Sequence, residues 1–354
     1  MKNFFLVLIA GVLVVGLSGC ISIKSSKTAV SNLGGVFVSE DRMETWKNKS
    51  LLMTPAGTLG DISAVDVYFL KFDPSDENTI YLGTKANGLY YSYNDGAGWN
   101  KSEKLPAGFI RDLGIDPKNK CILYAALESR LYKTEDCART WKSAYYSDSS
   151  TRLVTAVAVN PDAPEKVYTG LSDGSLMLSS DHGMTWKVVK KFSTRVQRII
   201  FDPQNSNILY VGITTDGLWK SLDGGITWDN LNKAMKDFSG AQTYLDFTIS
   251  AKNSNFLLYS NQYGLLRSLD GGITWSQVKL LTRAGGEVIY SIAIDPSNDK
   301  NLYYATNSAV YKSLDGGENW AVKKMPTTRV GQDIIIQPSS PSRIFMGVKT
   351  VEAK

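Results

Sequence analysis

Ser221 to Trp228 reads Ser-Leu-Asp-Gly-Gly-Ile-Thr-Trp, and this octad recurs along the whole chain. Ser268 to Trp275 repeats it almost letter for letter, Ser313 to Trp320 has Asn319 for Thr, and Ser179 to Trp186 carries Asp181-His182-Gly183. Looser copies run from Ser39 to Trp46 with Asp41, from Ser92 to Trp99 with Asn94 and Asp95, and from Thr134 to Trp141 with Asp136. Seven tryptophans (Trp46, Trp99, Trp141, Trp186, Trp228, Trp275 and Trp320) close seven copies, and Trp219 alone stands outside. They lie 42 to 53 residues apart, the period of a four-stranded unit and longer than that of leucine-rich or ankyrin repeats.

Each octad reads as a hairpin turn. Its Asp (Asp41, Asp136, Asp181, Asp223, Asp270 or Asp315) can accept backbone N–H bonds across the loop. Gly supplies a positive φ, and Trp buries its ring between sheets as the next strand starts. A second motif, apolar-x-Asp-Pro followed by Leu/Ile-Tyr-x-Gly, alternates with the first, as in Phe72-Asp73-Pro74 to Gly83 and Phe201-Asp202-Pro203 to Gly212. Pro after Asp ends a strand, and the Tyr run alternates as a strand does. One repeat is then four strands, A to D; in the unit ending at Trp228 they are predicted at 196–201, 208–213, 218–221 and from 228.

The ends decide closure. An octad comes first, at Ser39, and an Asp-Pro-like element comes last, at Gln337-Pro338, with no octad after it. Residues 34 to about 50 therefore supply strands C and D of a blade whose strands A and B come from 330–349. The prediction is an all-β, seven-bladed β-propeller with four-stranded blades, its ring closed by N- and C-terminal strands sharing one blade, which removes an open sheet edge.

The octad resembles the Asp-box, or BNR repeat, of sialidases, sortilin-type receptors, xyloglucan hydrolases and the propellers of photosystem II assembly and stability factors. The match covers nearly all of the chain after residue 34. Among these families the assembly factors are most similar in being single, exported, non-catalytic, seven-bladed propellers with a basic patch. The resemblance therefore implies a binding platform or assembly factor, though fold alone does not fix activity.

Before the repeats, residues 1–19 carry Lys2 and an apolar run from Phe4 to Leu17, and Leu17-Ser18-Gly19-Cys20 follows. The run reads as a cleavable export signal and is short for a membrane span. Leu-Ser-Gly-Cys looks like a bacterial lipobox, which implies acylation of Cys20 and anchorage to the cell membrane or outer membrane, with the domain facing periplasm or exterior. The rest of 20–33 is Ser- and Lys-rich and reads as a flexible tether spanning up to roughly 45 Å. The propeller then occupies 34–354.

Cys121 and Cys137, at the start of strand B and in the octad turn of one blade, face each other across a hairpin and suit a disulfide in an exported protein. Such a bond contributes on the order of 3 kcal/mol in the chain-entropy model. The one histidine, His182, sits on a turn, which leaves no His/Cys metal site, and the octads lack the ligand series of a calcium loop. No metal and no cofactor is expected. A glycosidase needs two carboxyls flanking a sugar. Asp112, Asp246 and Asp333 each lie four residues before an Asp-Pro position, where inner strands open onto one face of the ring. They are the one constellation for a glycan-binding or glycoside-hydrolysing alternative to a non-catalytic platform.

Charge points to partners. The net charge is +5, yet the seven segments joining strand D to the next strand A hold 17 basic and 6 acidic residues. The face they form is predicted to be basic, most strongly at Lys187, Lys190, Lys191 and Arg195 and at Lys323, Lys324 and Arg329. Arg111, Asp112, Arg198, Asp246, Tyr290 and Asp333 are expected at its centre. This asymmetry favours an anionic partner: an envelope protein or complex with an acidic surface, lipid headgroups or an acidic glycan. Nucleic acid is not expected in an exported setting.

Overall fold

The computed structural model describes residues 31–53, 57 and 59–351. The predicted export signal, Cys20 and most of the predicted tether lie outside them. Residues 31–33, read as tether, are instead bonded to the last D-to-A connection: Thr328 donates its amide to the Ser31 carbonyl, and the Thr327 hydroxyl donates to that of Leu33.

Seven four-stranded antiparallel sheets form the ring of a β-propeller. Numbered in chain order, blades 1 to 7 begin with the inner strands Val67–Asp73, Ile110–Ile115, Val154–Val159, Val196–Asp202, Tyr244–Ile249, Ser291–Asp295 and Val330–Ile336. Blade 4 continues through Asn205–Ile213 and Gly217–Ser221 to Asp229–Asn230 at the rim. Its second strand starts three residues earlier than the apolar run indicates, because Asp202 pairs with Asn205 around a tight Pro203-Gln204 turn. Blade 7 closes the ring as the sequence predicts: Gly35–Ser39 lies between Lys47–Asn48 and Ile344–Lys349, in register from Gly35 opposite Val348 to Ser39 opposite Ile344.

The core lies between blades. Val36, Val38 and Phe345 of blade 7 pack on Ile80, Leu82 and Trp99 of blade 1, all fully buried or nearly so. The Gly of the Tyr-x-Gly motif has a packing cause. A Cβ on Gly212 would stand 2.2 Å from the Tyr244 ring of the next blade, and one on Gly347 would stand 2.4 Å from Val67.

Each octad is a self-bonded turn. Ser221 Oγ accepts the Gly225 amide at 2.8 Å and donates to Asp223, whose carboxylate accepts the Thr227 amide at 2.8 Å and hydroxyl at 2.6 Å. The fourth residue of all seven octads has a positive φ, even where it is Arg42, Asp95, Cys137 or His182. Its amide donates to the start of the second strand of the same blade, as Gly224 does to Asn207 and Gly316 to Lys300. In blade 2 the same bond runs from Cys137 to Cys121, and a disulfide joins the two residues.

Two elements escaped the sequence reading. Leu51–Met53 and Leu59–Asp61 form a hairpin in the connection from blade 7 to blade 1. It holds Trp99 by its backbone on both sides, which is why this octad Trp is fully buried while others are partly exposed. A short 3₁₀ turn, Leu231–Met235, links blades 4 and 5.

Candidate functional site

Antiparallel order puts the Asp-Pro turns and octads on one face and the D-to-A connections on the other. The inner strands start at the second face and line a central channel. The fourth position before each Asp-Pro element places Phe69, Asp112, Ala156, Arg198, Asp246, Ser291 and Asp333 around it. A cavity of about 270 Å³ opens there, and Arg111, Asp112, Arg198, Asp246, Tyr290 and Asp333, the six residues expected at the centre of this face, are among those that line it. A second cavity of about 230 Å³ opens beyond it; Leu70, Arg198, Asp246 and Asp333 line both and form the constriction between them.

The three aspartates serve the backbone. Asp112 accepts the amide of Val157 at 2.9 Å, Asp246 that of Ile292 at 3.0 Å, and Asp333 that of Leu70 at 2.7 Å, each from the next blade. Local widening of the inner strand makes this reach possible, since the pairing register shifts beside Asp246 and Asp333. The aspartates are thus interblade latches that satisfy otherwise orphaned N–H groups.

Their charges are unequally balanced. Lys71, which the sequence reading missed, reaches Asp112 at 2.5 Å. A lysine where other repeats have small or apolar residues (Gly114, Ala158, Ile200, Ala293) was the available signal. Arg198 stands 3.6 Å from Asp246, with its side chain 43% exposed to the channel. Burial works against the charge on Arg198, but Asp246 and then the other channel acids hold its pKa above the usual arginine value. Burial raises the Asp246 carboxyl. It pushes Asp333 up to about 6, with Arg198 and the Leu70 amide opposing the rise and Asp246 adding to it. At the mouth, Arg111 stacks on Phe109 with its carbon 4.1 Å from the ring centre, and its best ion pair is Glu128 at 3.9 Å. Burial lowers its pKa, Glu128 opposes this, and Arg195 lowers it further.

The loop cations named from the sequence divide into paired and unpaired groups. Lys187, Lys190 and Lys191 belong to the outermost strand Lys187–Lys191, and Lys323 and Lys324 to Ala321–Lys324, so they edge the rim. Lys190 sits 5.0 Å over Trp219, Lys191 pairs with Asp173 at 2.8 Å, and Lys323 pairs with Glu44 at 2.5 Å. Arg329 is buried; it pairs with Asp66 at 3.0 Å and donates to the Asn32 carbonyl. Lys187, Lys324 and Arg195 carry no ion pair among the described residues. Loosely paired or unpaired charge thus stands both at the rim, on Lys187 and Lys324, and at the channel mouth, on Arg111, Arg195 and Arg198.

A larger groove, about 490 Å³, lies elsewhere, between the octads of blades 2 and 3, with Lys133, Asp136 and exposed His182 on its walls. Its polar groups come from two neighbouring blades and include the Lys133–Glu135 pair at 2.6 Å, whereas the channel gathers charged side chains from five blades. Among the described residues no group of three or more His, Cys, Asp or Glu could hold a metal ion.

The family of photosystem II assembly factors described as YCF48 matches residues 191–337. Xyloglucanase Xgh74A of Acetivibrio thermocellus is 30% identical over 164 residues, which are 45% of this chain and 16% of that protein. Among solved structures, the GH74 xyloglucanase of Xanthomonas campestris has a TM-score of 0.64 at 17% identity, over 80% of this chain and 51% of its own. A YCF48 structure bound to a D1 peptide has a TM-score of 0.61 at 12% identity, over 81% of this chain and 94% of its own. The chain thus spans about half or less of the xyloglucanases it matches and nearly the whole length of the assembly factor. With seven octads closing seven blades, it is an Asp-box β-propeller, similar to the photosystem II assembly factors and to the propellers of xyloglucanases.

Proposed function

We propose that this chain is a non-catalytic propeller lipoprotein, tethered through Cys20 to a bacterial envelope membrane, that serves as a binding platform or assembly factor for an envelope protein or complex. The partner presents an acidic segment to the D-to-A face, where Arg111, Arg195 and Arg198 surround the channel mouth. The observation that carries this reading is Arg198: a guanidinium 43% exposed inside the ring, with one loose ion pair at 3.6 Å. An incoming carboxylate gains charge-assisted bonds there in a setting of reduced dielectric. Support also comes from the likeness, over nearly its whole length, to an assembly factor that binds a peptide. The three channel aspartates are already committed to backbone latches, which argues against their acting as a catalytic pair.

The test is capture from detergent-solubilised envelope with the full chain, beside an Arg111→Glu/Arg195→Glu/Arg198→Glu variant and a rim variant, Lys187→Glu/Lys190→Glu/Lys191→Glu. The platform reading expects one protein or complex retained by the parent and the rim variant, lost from the mouth variant, and released by salt. Equal retention by all three overturns it.

One observation favours a second reading, glycan binding or hydrolysis: Asp333, with its pKa raised to about 6, has the property of a general acid. Release of reducing sugar from xyloglucan or an acidic glycan, abolished by Asp333→Asn, would replace the first reading with this one.

A further inference from the structure

The Cys121–Cys137 disulfide stands out against its own repeat. In the other six octads the residue at the place of Cys137 is Arg42, Asp95, His182, Gly224, Gly271 or Gly316, with the same positive φ and no covalent tie. Each is held by one amide bond to its own blade, of 2.8 to 3.0 Å, and Cys137 makes that bond as well, to Cys121 at 3.2 Å. The turn therefore does not need the sulfur bridge to keep its shape. The bridge is also accessible. Both cysteines are half-buried, and Cys137 lines an open groove of about 330 Å³ with Lys120, Arg139, Asp76, Tyr81 and Tyr93. Lys120 and Arg139 are exposed cations on its walls. Finally, the Cys137 carbonyl accepts the Tyr93 hydroxyl of blade 1 at 3.3 Å, so the residue is part of the seam between blades 1 and 2.

We propose that Cys121–Cys137 is a thiol–disulfide exchange site, at which a low-molecular-weight thiol or a partner's cysteine is joined to Cys137 while the propeller stays folded. A thiolate attacks Cys137 Sγ and forms the new S–S bond. The Cys121–Cys137 bond breaks, and Cys121 leaves with the electron pair as a thiolate that takes a proton from solvent. A second thiol attacking the mixed disulfide completes a two-electron reduction, giving two protein thiols and an external disulfide. Lys120 and Arg139 draw the incoming thiolate to the groove, and Lys120 adjoins the departing one. The site lies on the octad face, away from the channel mouth, and is independent of the platform reading.

The experiment incubates the full chain, without denaturant, in buffers of reduced and oxidised glutathione, traps it with acid, and maps the sulfur adducts by mass spectrometry. Circular dichroism is followed in parallel. The expected result is a glutathione adduct on Cys137, reversed by excess reduced glutathione, with the β-sheet spectrum unchanged throughout. A Lys120→Glu/Arg139→Glu variant is expected to form the adduct about tenfold more slowly, the scale set by inverting two nearby cations. Cys121→Ser/Cys137→Ser is expected to fold and to form no adduct. A bridge that resists glutathione until the protein is unfolded overturns the proposal. So does an adduct confined to Cys121, an unaltered rate in the charge variant, or loss of the β-sheet spectrum on reduction.

Discussion

Lys312 Nζ lies 3.0 Å from the carbonyl oxygen of Arg42, joining the third strand of blade 6 to the octad of blade 7 across the seam next to the ring closure. The contact is one of seven. The fourth octad carbonyl of every blade accepts a donor from the blade before: Tyr124 reaches His182, Tyr168 reaches Gly224, Lys220 reaches Gly271, and Arg267 reaches Gly316. Tyr93 reaches Cys137 and Arg343 reaches Asp95. A positive φ turns this carbonyl toward the neighbouring blade, and the donor's chemistry is free to vary as long as it reaches. The octads thus hold the ring from the rim, while Asp112, Asp246 and Asp333 hold it from the channel.

Lys312→Ala tests the outer ring. The Lys312 side chain is only 9% exposed, and its loss leaves the Arg42 carbonyl without its donor and Glu44 with Lys323 alone. The cost in urea unfolding is expected at about 1.5–3 kcal/mol, the range for a hydrogen bond to a charged group. Lys233→Ala, at an exposed site, is expected within about 0.5 kcal/mol of the parent. Equal behaviour of the two would mean that the seam bond contributes nothing.

The octads are not interchangeable. Trp99 is fully buried under the Leu51–Met53 hairpin and donates its indole N–H to the Lys49 carbonyl at 2.7 Å. Trp99→Ala is expected to cost about 3–5 kcal/mol. Trp186→Ala, at a partly exposed ring, is expected to cost distinctly less; thermal unfolding of the two variants side by side decides it.

Stability is expected to respond to pH in two opposite ways. Asp333 has its pKa raised to about 6 by burial, against 3.8 ordinarily, so the folded state binds its proton more tightly and gains stability as pH falls from above 6 to below 3.8. Asp41, Asp136, Asp181 and Asp223 are lowered to about 2, first by the Thr hydroxyl bonds of their turns. Asp315 is lowered to about 2 by the Asn319 amide and side chain. The stability these groups provide is present above 3.8 and lost as pH falls toward 2. Thermal midpoints are therefore expected to rise from pH 7.5 to 5 and to fall steeply below 4. Asp333→Asn is expected to shrink the rise to the part that the raised carboxyl of Asp246 contributes, and to leave the fall.

Much of this was readable in advance because the octad is local chemistry. Ser, Asp, Gly and Thr bond within eight residues, so their spacing alone defines the turn, and the order of motifs at the two ends defines closure. The repeat offset also found the channel aspartates. Their role as latches was not readable, because Val157 and Leu70 lie 45 and 263 residues away and meet Asp112 and Asp333 only once the ring exists. The contacts of the loop cations were hidden for a related reason. Counting charges in Lys187 to Arg195 ignores that alternate side chains of an edge strand lie against Trp219 or reach Asp173 on the adjacent connection.

Membrane attachment has its own test. Growth with labelled palmitate is expected to label the parent chain and not Cys20→Ser, and the variant is expected to move to the soluble fraction. Equal labelling of the two would remove the lipid anchor from the proposal.

The platform reading is tested most directly by placing a photo-crosslinking amino acid at Gln197, on the channel wall beside Arg198, and in a second strain at Leu269, 64% exposed on the octad face. Irradiation of living cells is predicted to yield one discrete crosslinked protein from Gln197, absent when Arg111, Arg195 and Arg198 are changed to Glu, and no discrete product from Leu269. A discrete product from Leu269 with none from Gln197 would contradict the account and move the working surface to the opposite face.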